Sequence, residues 1–539
     1  MIELTALLLA AAVGYGLARI TGFPAIPFLI LVGIGASALI PMDTDFLADV
    51  LTLGVTVLVF VAGIELNPNR LKGRGWTALK VGTFQFLALG AVGFGAAVLL
   101  GFELETAAYL ALALTASSTL LVVKLLQERR MLFEPVGRLV TGVLLLQDLL
   151  IILLIPVVVR LPEGVGAIVG GIVSTLGLLL LAGAMLRWVI PGLLRRFGQD
   201  EEVLLLLAVS ILFAFMGVGH LLDLPLVTGA FLAGLSLSGF PAAALVRGQV
   251  NSLGDFFHAL FFAALGAFLP LPTLVQLGEA ALLALLVVVI TPPLVAWVGE
   301  RAGLSARPAL SSGLLLAQTS EFSLVIALQG LVLGRLSAEV FGVITMVTVA
   351  TMVLTPFLSA DRVTWALMKV HPFRRVPELA DRPKDHILLL GCGRHGQLLL
   401  EDLIVTRHAL VVVDDDPILV QHLQKAGVST IRGDITDVEL LREVGANQAR
   451  VVISTVRRRE DNGPLLALAR NVPVLVRGFN REDGRWIRER GGRPVLYSEA
   501  TAQAFRRWYE QKWPADPTTT DTLPATIGHG VGSTDPPEA

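Results

Sequence analysis

Gln147 and Asp148 fall in the middle of LLLQDLLIIL (144–153), inside an aliphatic run that extends from Leu139 to Val159. A carboxyl group at the centre of a membrane-spanning helix costs about 2.5–3.5 kcal/mol on insertion scales. Such a residue either marks a proton or ion path or is a structural acid paired with a neighbour or kept protonated. A carboxyl can hold a proton, or release it and accept a cation, and each state excludes the other. That competition is enough to couple proton and cation movement in opposite directions. Gln147 adds an amide oxygen that can coordinate a desolvated monovalent ion, and an NH2 group that can orient the carboxylate.

Two further runs interrupt apolar segments with polar residues: Thr115-Ala116-Ser117-Ser118-Thr119 and Ala317-Gln318-Thr319-Ser320-Glu321-Phe322. Interrupted helices at matching places in two repeats point to a secondary transporter's site, because unwound backbone supplies carbonyls and helix ends. The alternative is that these Ser and Thr side chains bond their own helix carbonyls or pack small against small. The candidate ion and proton site is therefore Asp148 and Gln147 with Thr115, Ser117, Ser118, Thr119, Ser320 and Glu321. Glu321 is open between direct ion binding and capping an unwound helix end. Glu65, in GIELNP (63–68), reads as a helix-terminal group outside the site.

A third constellation lies near the C-terminus. HILLLGCGRHGQLLLEDLI (386–404) is an apolar strand, the loop Gly391-Cys392-Gly393-Arg394-His395-Gly396, and an amphipathic helix. ALVVVDDDP follows, with Asp414 twenty-three residues after Gly391. Strand, G-x-G-x-x-G, helix, strand and a terminal acid form a dinucleotide-binding signature, in which the glycines let the backbone approach a pyrophosphate. Asp414 is expected to bond ribose hydroxyls. Asp434, in VSTIRGDITD, is the next acid at a strand end, and ARVVISTV (449–456) and VPVLVRGF (472–479) continue a parallel sheet. The lone Cys392 and His395 do not make a metal site, and no disulfide is possible within the chain.

The elements that must carry these groups follow from composition. The 539 residues are 54% hydrophobic and 16% charged, with mean hydropathy +0.73. Soluble domains carry about 25% charged residues. Residues 1–375 hold 21 of the 42 Lys and Arg and the shorter remainder holds the other 21, so a membrane part precedes a soluble part. The net charge of −2 gives no footprint for nucleic acid. Apolar runs of roughly 17–25 residues are candidate spans. Thirteen are read, centred near residues 12, 32, 56, 88, 115, 149, 176, 211, 233, 263, 286, 320 and 348. The first is taken as a span and not a signal peptide, since it lacks a basic n-region and a small-residue cleavage site.

With thirteen spans the termini lie on opposite sides of the bilayer. The loops on the C-terminal side carry Arg19, Arg70, Lys72, Arg74, Lys124, Arg129, Arg130, Arg138, Arg187, Arg195, Arg196, Arg247, Arg301 and Arg307, against Arg160 and Arg335 on the other. Positive residues mark the cytoplasm, which places the C-terminal domain inside and the N-terminus outside. The two polar interruptions fall in spans five and twelve, as expected of two inverted six-helix repeats around a central seventh helix.

At these residues the chain resembles the Kef-type potassium efflux systems of the monovalent cation:proton antiporter-2 group. The resemblance runs from about residue 1 to 500 and rests on GIELNP, LTASSTLLVVKLLQERRM (114–131), GRLVTGVLLLQDLLIILLIP (137–156), GAFLAGLSLS (229–238), LFFAALGAF (260–268) and AQTSEFSLVI (317–326). It implies an elevator-type antiporter in the cell membrane, with crossed broken helices, a homodimeric assembly and Asp148 as the shared proton and cation carboxylate. It further implies K+ as the transported ion, favoured by Gln147, with Na+/H+ exchange on the same fold as the alternative. Relatives often place a lysine in the eleventh span, where this chain has Thr291 in VVVITPPLVAW; that departure points to electroneutral exchange. The Thr291-Pro292-Pro293 step either frees carbonyls for the site or only bends the helix.

The C-terminal stretch resembles the N-terminal lobe of the regulator-of-potassium-conductance domain, also called the TrkA N-terminal domain. It implies regulation by AMP, NAD(H) or ATP; a lobe without ligand, serving dimerisation, is the alternative. After residue 500 the resemblance fades, and only Arg477 matches an arginine of the glutathione site of Kef-type chains. The expected organisation is a membrane domain 1–360, a linker 361–384, a Rossmann domain 385–505 and a disordered tail 506–539 rich in Thr, Pro and Gly. A ligand-gated potassium channel is disfavoured because no TVGYG-type filter segment occurs. A membrane-anchored NAD-dependent enzyme is disfavoured because no substrate domain fits.

Overall fold

The computed structural model describes residues 2–21, 24–66, 75–129, 131–132, 134–197, 201–239, 242–270, 272–368, 383–405 and 408–512. Asn67, Pro68, Arg70, Lys72, Arg74 and Arg130, most of the expected linker (369–382) and most of the expected tail (513–539) lie outside these residues. The chain forms two compact units, Met1–Arg374 and Arg375–Ala539.

The first unit is built from helices: α1 (Ile2–Thr21), α2 (Ala25–Leu39), α3 (Thr44–Glu65), α4 (Gly75–Leu99), α5 (Leu104–Leu114), α6 (Thr119–Glu128), α7 (Pro135–Val159), α8 (Val165–Ala184), α9 (Ile190–Phe197), α10 (Glu201–Leu221), α11 (Leu226–Ser236), α12 (Ala242–Phe268), α13 (Leu274–Arg301), α14 (Ala306–Leu316), α15 (Glu321–Val332), α16 (Ala338–Leu358) and α17 (Asp361–Met368). Among the described residues ten helical spans are long and apolar enough to cross a bilayer, and three shorter apolar helices accompany them: Ala25–Leu39, Leu226–Ser236 and Gly254–Phe268. Each coincides with one of the thirteen runs read from sequence. The seventh span joins α8 to α9 through a π turn at Met185–Val189. Arg19, Lys124, Arg138, Arg187, Arg195, Arg196, Arg247, Arg301 and Arg307, counted above with the loops, lie within helices.

The helices sort into two bundles. A scaffold bundle of α1, α2, α3, α10, α11 and α12 packs mainly on itself, and a core bundle of α4 to α7 with α13 to α16 does the same. The packing also repeats. α2 packs on α12 as α3 packs on α11, α4 on α5 as α13 on α14, and α4 on α7 as α13 on α16. Exchanging the first six spans with the last six maps each contact onto its counterpart. The halves are seven spans apart, an odd number, so the second crosses the layer in the opposite sense. Glycines make the matching contacts possible: a Cβ on Gly63 would strike the Phe231 carbonyl and one on Gly234 the Phe60 carbonyl, while Gly33 and Gly266 stand likewise against Ala263 and Ile30. Small residues allow such close backbone approach between spans.

The second unit has β1 (Ile387–Leu390), α18 (Arg394–Ile404), β2 (Leu410–Asp414), α19 (Pro417–Lys425), β3 (Thr430–Arg432), α20 (Val438–Glu443), β4 (Val451–Ser454), α21 (Gly463–Leu468), β5 (Val474–Gly478), α22 (Arg481–Glu489), β6 (Arg493–Leu496) and α23 (Tyr497–Lys512). The six strands are parallel in the order β3-β2-β1-β4-β5-β6. This is the doubly wound dinucleotide order, whose ligand crevice lies where the strand order reverses, beside β1 and β4.

α13 runs through Pro292–Pro293 to Arg301, and the Pro292 backbone packs close against Gly313 of α14. Two expectations need correction. The expected linker begins as α17, held to α14 by the ion pair of Arg307 with Asp361 at 3.7 Å and by Trp365 under the Arg307 guanidinium at 5.2 Å. The expected tail is helical as far as Lys512, because α23 carries the chain on from β6.

Candidate functional site

Spans five and twelve are both broken where Ser and Thr cluster. Short hydroxyl side chains bond nearby backbone groups and so compete with continued helix. Between α5 and α6 the chain unwinds at Thr115–Ser118, and between α14 and α15 at Ala317–Ser320. Unwound backbone persists at this depth only when protein covers it, and the two breaks cover each other. Ser117 Oγ donates to the Leu316 carbonyl at 2.7 Å, Ser118 Oγ donates to Glu321 Oε1 at 2.7 Å, and Ser323 Oγ donates to the Ala113 carbonyl. Both new helices are capped: Leu121 N–H donates to Ser118 Oγ at 3.2 Å and Phe322 N–H to Ser320 Oγ at 3.0 Å.

α7 passes behind this crossing with Gln147 and Asp148. Gln147 Oε1 accepts the Ser117 N–H at 3.1 Å. Asp148 is 4% exposed. Its Oδ2 accepts a hydrogen bond from Thr119 Oγ1 at 2.9 Å, and its Oδ1 is buried without a partner among the described residues. The carboxyl faces a cavity between the two bundles, walled on the core side by Thr119, Asp148 and Glu321 and on the scaffold side by Glu65, Asp255 and His258. The cavity holds about 1020 Å³ of empty space, the solvent at its mouth included. A water takes about 30 Å³ of liquid, so the cavity has room for water.

In the second unit the glycine loop sits at the end of β1. Gly391 has φ +78°, which an L side chain adopts only under strain. A Cβ on Gly393 would meet nothing within 4 Å, so the loop is open to a ligand there; one on Gly396 would strike the Gly391 carbonyl. The three glycines thus serve turn, approach and packing in that order. Asp414 Oδ2 accepts the Cys392 N–H at 2.6 Å and its Oδ1 the Asp416 N–H at 2.8 Å. Burial pushes the Asp414 carboxyl up from its ordinary value, against those N–H groups, which favour its charge. The Cys392 thiol is pushed up to about 11 by burial and by the Asp414 charge. Thr455 Oγ1 donates to the Gly391 carbonyl at 2.7 Å. Arg477 reaches His395 Nδ1 at 3.3 Å, and Tyr497 meets the His395 ring edge-on at 5.8 Å. Burial, with the nearby Arg457 charge, lowers the pKa of Arg477.

Residues 6–360 match the family described as sodium/hydrogen exchanger, transmembrane, about two thirds of the chain. The chain belongs to that family. Residues 387–495 of the exchanger match the TrkA-N domain. It is 26% identical over 486 residues to YbaL of Escherichia coli (strain K12), covering 85% of this chain and 87% of YbaL. It is 27% identical over 467 residues to the glutathione-regulated potassium-efflux system protein KefC of Enterobacter sp. (strain 638), covering 83% of this chain and 74% of KefC. Its fold is similar to the sodium proton antiporter MjNhaP1 of Methanocaldococcus jannaschii, with a TM-score of 0.56 at 17% identity, over 68% of this chain and 97% of that one. The exchanger is a multi-pass membrane protein, a cation:proton antiporter with a TrkA-N domain.

The residues expected at its ion site come together, with divided roles. Asp148, Thr119 and Glu321 line the cavity. Thr115, Ser117, Ser118 and Ser320 are buried in the crossing; Thr115 Oγ1 bonds only its own turn, at the Leu112 carbonyl. Gln147 differs most from expectation: its amide oxygen holds Ser117 instead of facing the cavity, and it makes no hydrogen bond to Asp148. Glu65 is the last residue of α3, as expected, but it also lines the cavity. Asp255 and His258 were missed in sequence; their signal was two ionisable groups one helical turn apart in GDFFHALFF. Also missed were Thr348 and Thr351 of α16, which anchor the second break: Thr319 N–H donates to Thr351 Oγ1 and Thr319 Oγ1 to Thr348 Oγ1, both at 3.1 Å.

In the exchanger's glycine loop, Gly391, Gly393 and Gly396 lie between β1 and the first turn of α18, and the Arg394 side chain lies outside the described residues. Asp414 faces inward and holds the loop, where a ribose contact was expected. Asp434 closes a turn after β3, accepting from the Thr436 N–H at 2.9 Å and hydroxyl at 2.6 Å.

Proposed function

We propose that the exchanger is a secondary active antiporter that trades K+ for H+ at Asp148, under control of a nucleotide bound at the 391–396 loop. The observation that carries this reading is the Asp148 carboxyl: one oxygen rests on Thr119, the other is buried without a partner among the described residues, and the residue lines a cavity between two bundles. Ionised, it offers a charged oxygen to a cation, with the Thr119 and Glu321 oxygens beside it. Protonated, it offers none. Each exchange replaces one positive charge by another, and with Thr291 where relatives carry a lysine, no lysine in α13 alters the count. Glu321, tied to Ser118, holds the crossing and supplies a second acid near the cation. Ser117, Ser118, Ser320 and Gln147 hold the unwound segments, and Thr115 fixes the end of α5.

The core bundle carries Asp148 and both broken helices, and the scaffold bundle forms the opposing wall. Movement of one against the other exposes the same carboxyl to either side. Loop charge supports a cytoplasmic C-terminal domain, a cavity mouth near Glu65 on the same side of the bilayer, and an N-terminus outside. The similarity to KefC supports K+ over Na+, and the family assignment to sodium/hydrogen exchange keeps Na+ as the competing reading. The working unit is a homodimer, with transport assigned to 1–360 and regulation to 385–505.

The open end of α18, preceded by Gly393, supports a phosphate of AMP, NAD(H) or ATP. Asp434 and the half-buried Asp415 and Asp416 after β2 lie at strand ends where a ribose would sit. The nucleotide shifts transport only by binding one arrangement of the protein better than another.

Cation-driven proton movement in proteoliposomes, K+ against Na+, tests the reading with the wild type and Asp148→Asn. Exchange driven by K+ and lost in the variant is expected. Exchange driven by Na+ alone would overturn the choice of cation, and an active variant would overturn the site.

A further inference from the structure

The exchange reading uses the core wall of the cavity and leaves the scaffold wall without a role. That wall carries Asp255 and His258 of α12 and Glu65 of α3. Asp255 and His258 are three residues apart, neighbours on one helix face. Asp255 is exposed, His258 half-buried and Asp148 buried, so titratable groups descend from mouth to floor. The His258 ring packs on Phe262 with centroids 4.7 Å apart. Among the described residues it makes no hydrogen bond, which leaves its nitrogens to the cavity. The other titratable groups lining the cavity are Glu65 from α3, Asp148 from α7, Glu321 from α15 and Asp255 from α12 itself. α2 contributes none, and from α1 Tyr15 lies within electrostatic reach of Asp255.

An antiporter working at alkaline pH needs such a set. Free protons at pH 8 are at about 10 nM, and the encounter limit is about 10⁹–10¹⁰ M⁻¹s⁻¹. A single acceptor therefore meets about 10–100 protons per second, and a carboxyl on a cavity floor meets fewer. Turnover of order 1–10³ per second is ordinary, so proton supply becomes limiting. Acids at a mouth attract and concentrate protons, and an imidazole can accept a proton on one ring nitrogen and give one up from the other.

We propose that Asp255 and His258, with Glu65, collect protons at the cavity mouth and hand them to Asp148. The proposal rests on Asp148 as the exchange site. His258 takes a proton from hydronium or a buffer acid, the imidazolium gives one to the Asp148 carboxylate as the cation leaves, and the ring returns to neutral. The reverse sequence releases the proton to the mouth. The scaffold wall thereby sets how fast the site is loaded, while cation affinity stays with Asp148.

The test measures exchange by the full chain in proteoliposomes from about pH 6 to about pH 8.5, at low and high concentrations of a mobile buffer. The chains compared are wild type, His258→Gln, His258→Ala, Asp255→Asn and Asp148→Asn. Expected is a severalfold loss in the His258 and Asp255 variants at the alkaline end. It should shrink towards pH 6 and be relieved by added buffer (imidazole for His258→Ala), with KM for the cation unchanged. A His258→Gln profile parallel to wild type overturns the proposal. So does a loss that is equal at every pH and indifferent to buffer, which marks a packing role. So does a change confined to KM. Asp148→Asn should be silent throughout; its activity would overturn the exchange site itself, an outcome separate from the behaviour of His258.

Discussion

Three helix N-termini lie at the proposed sites of this exchanger, and they are finished differently. α6 and α15, inside the membrane unit, are closed by their own side chains: Ser118 and Ser320 take the first N–H groups, and Glu321 sets a carboxylate in the first turn. α18, in the second unit, begins behind Gly393 with no side-chain cap. Free N–H groups and the helix dipole make any such end a place for an anion. In a bilayer no water serves an open end, so the chain supplies the partners itself. Among the described residues the Asp148 Oδ1 is a carboxyl oxygen left without a partner beside these ends, which suits a proton or a cation. In the second unit the end stays open, which suits a phosphate. The comparison separates a site that presents an acceptor from one that presents donors.

Removing the acceptor breaks the membrane half of that comparison and has the largest expected effect. Asp148→Asn keeps shape and the Thr119 contact but cannot ionise. Exchange in proteoliposomes should fall to the level of protein-free vesicles, with folding intact by size-exclusion chromatography. Retained exchange would mean that the unpartnered oxygen is an accident of packing.

The glycine loop offers the next test, because two neighbouring glycines should fail in opposite ways. Gly396→Ala places a Cβ against the Gly391 carbonyl, an overpacking cost of about 1–3 kcal/mol. The second unit should melt earlier. Gly393→Ala meets open space and should melt like wild type while binding nucleotide about tenfold more weakly, or about 1.4 kcal/mol. Calorimetric melting and nucleotide titration on both variants separate the outcomes. Equal nucleotide affinity in Gly393→Ala would remove the phosphate from this helix end.

Much of this was legible in the sequence because each feature carried its own physical signal. Apolar run length fixed the thirteen segments, and a carboxyl in the middle of one of them named Asp148. Glycine spacing after a strand named the loop. What stayed hidden was direction. Gln147 reads as a ligand because amides bind ions, yet its oxygen is spent on the Ser117 N–H, a need that exists only once span five is known to be unwound there. Asp414 reads as a ribose ligand, yet it points back into the loop. Asp255 and His258 went unread because their segment is diluted by Gly and Ala, and nothing in it says that the face they share meets α7 across a cavity.

Ser118 probes the closed ends with a smaller effect. Its hydroxyl both caps α6 and donates to Glu321. Ser118→Ala should cost about 1 kcal/mol for the cap and leave the Glu321 carboxyl short of a donor. A melting point lowered by a few degrees, with exchange slowed but present, is the expected result. An unchanged melting point would show that the crossing does not depend on this bond.

Cys392 gives the smallest and most local readout, on the open end. Its thiol is shifted from 9.0 to about 11 by burial and by the Asp414 charge. The thiolate is the reactive form, so the folded domain should alkylate far more slowly at pH 8 than the same chain in denaturant. The sign for stability follows from the same shift. The unfolded chain ionises this thiol near 9 and the folded one near 11, so the contribution is whole below pH 9 and drains away between pH 9 and 11. Iodoacetamide labelling of the full chain, followed by mass spectrometry, measures both. Because the Cys392 N–H is the group that Asp414 holds, labelling also reports whether the loop opens. Rates at pH 8 equal to those in denaturant would mean that Asp414 does not pin the loop, leaving its carboxylate available to a ribose after all.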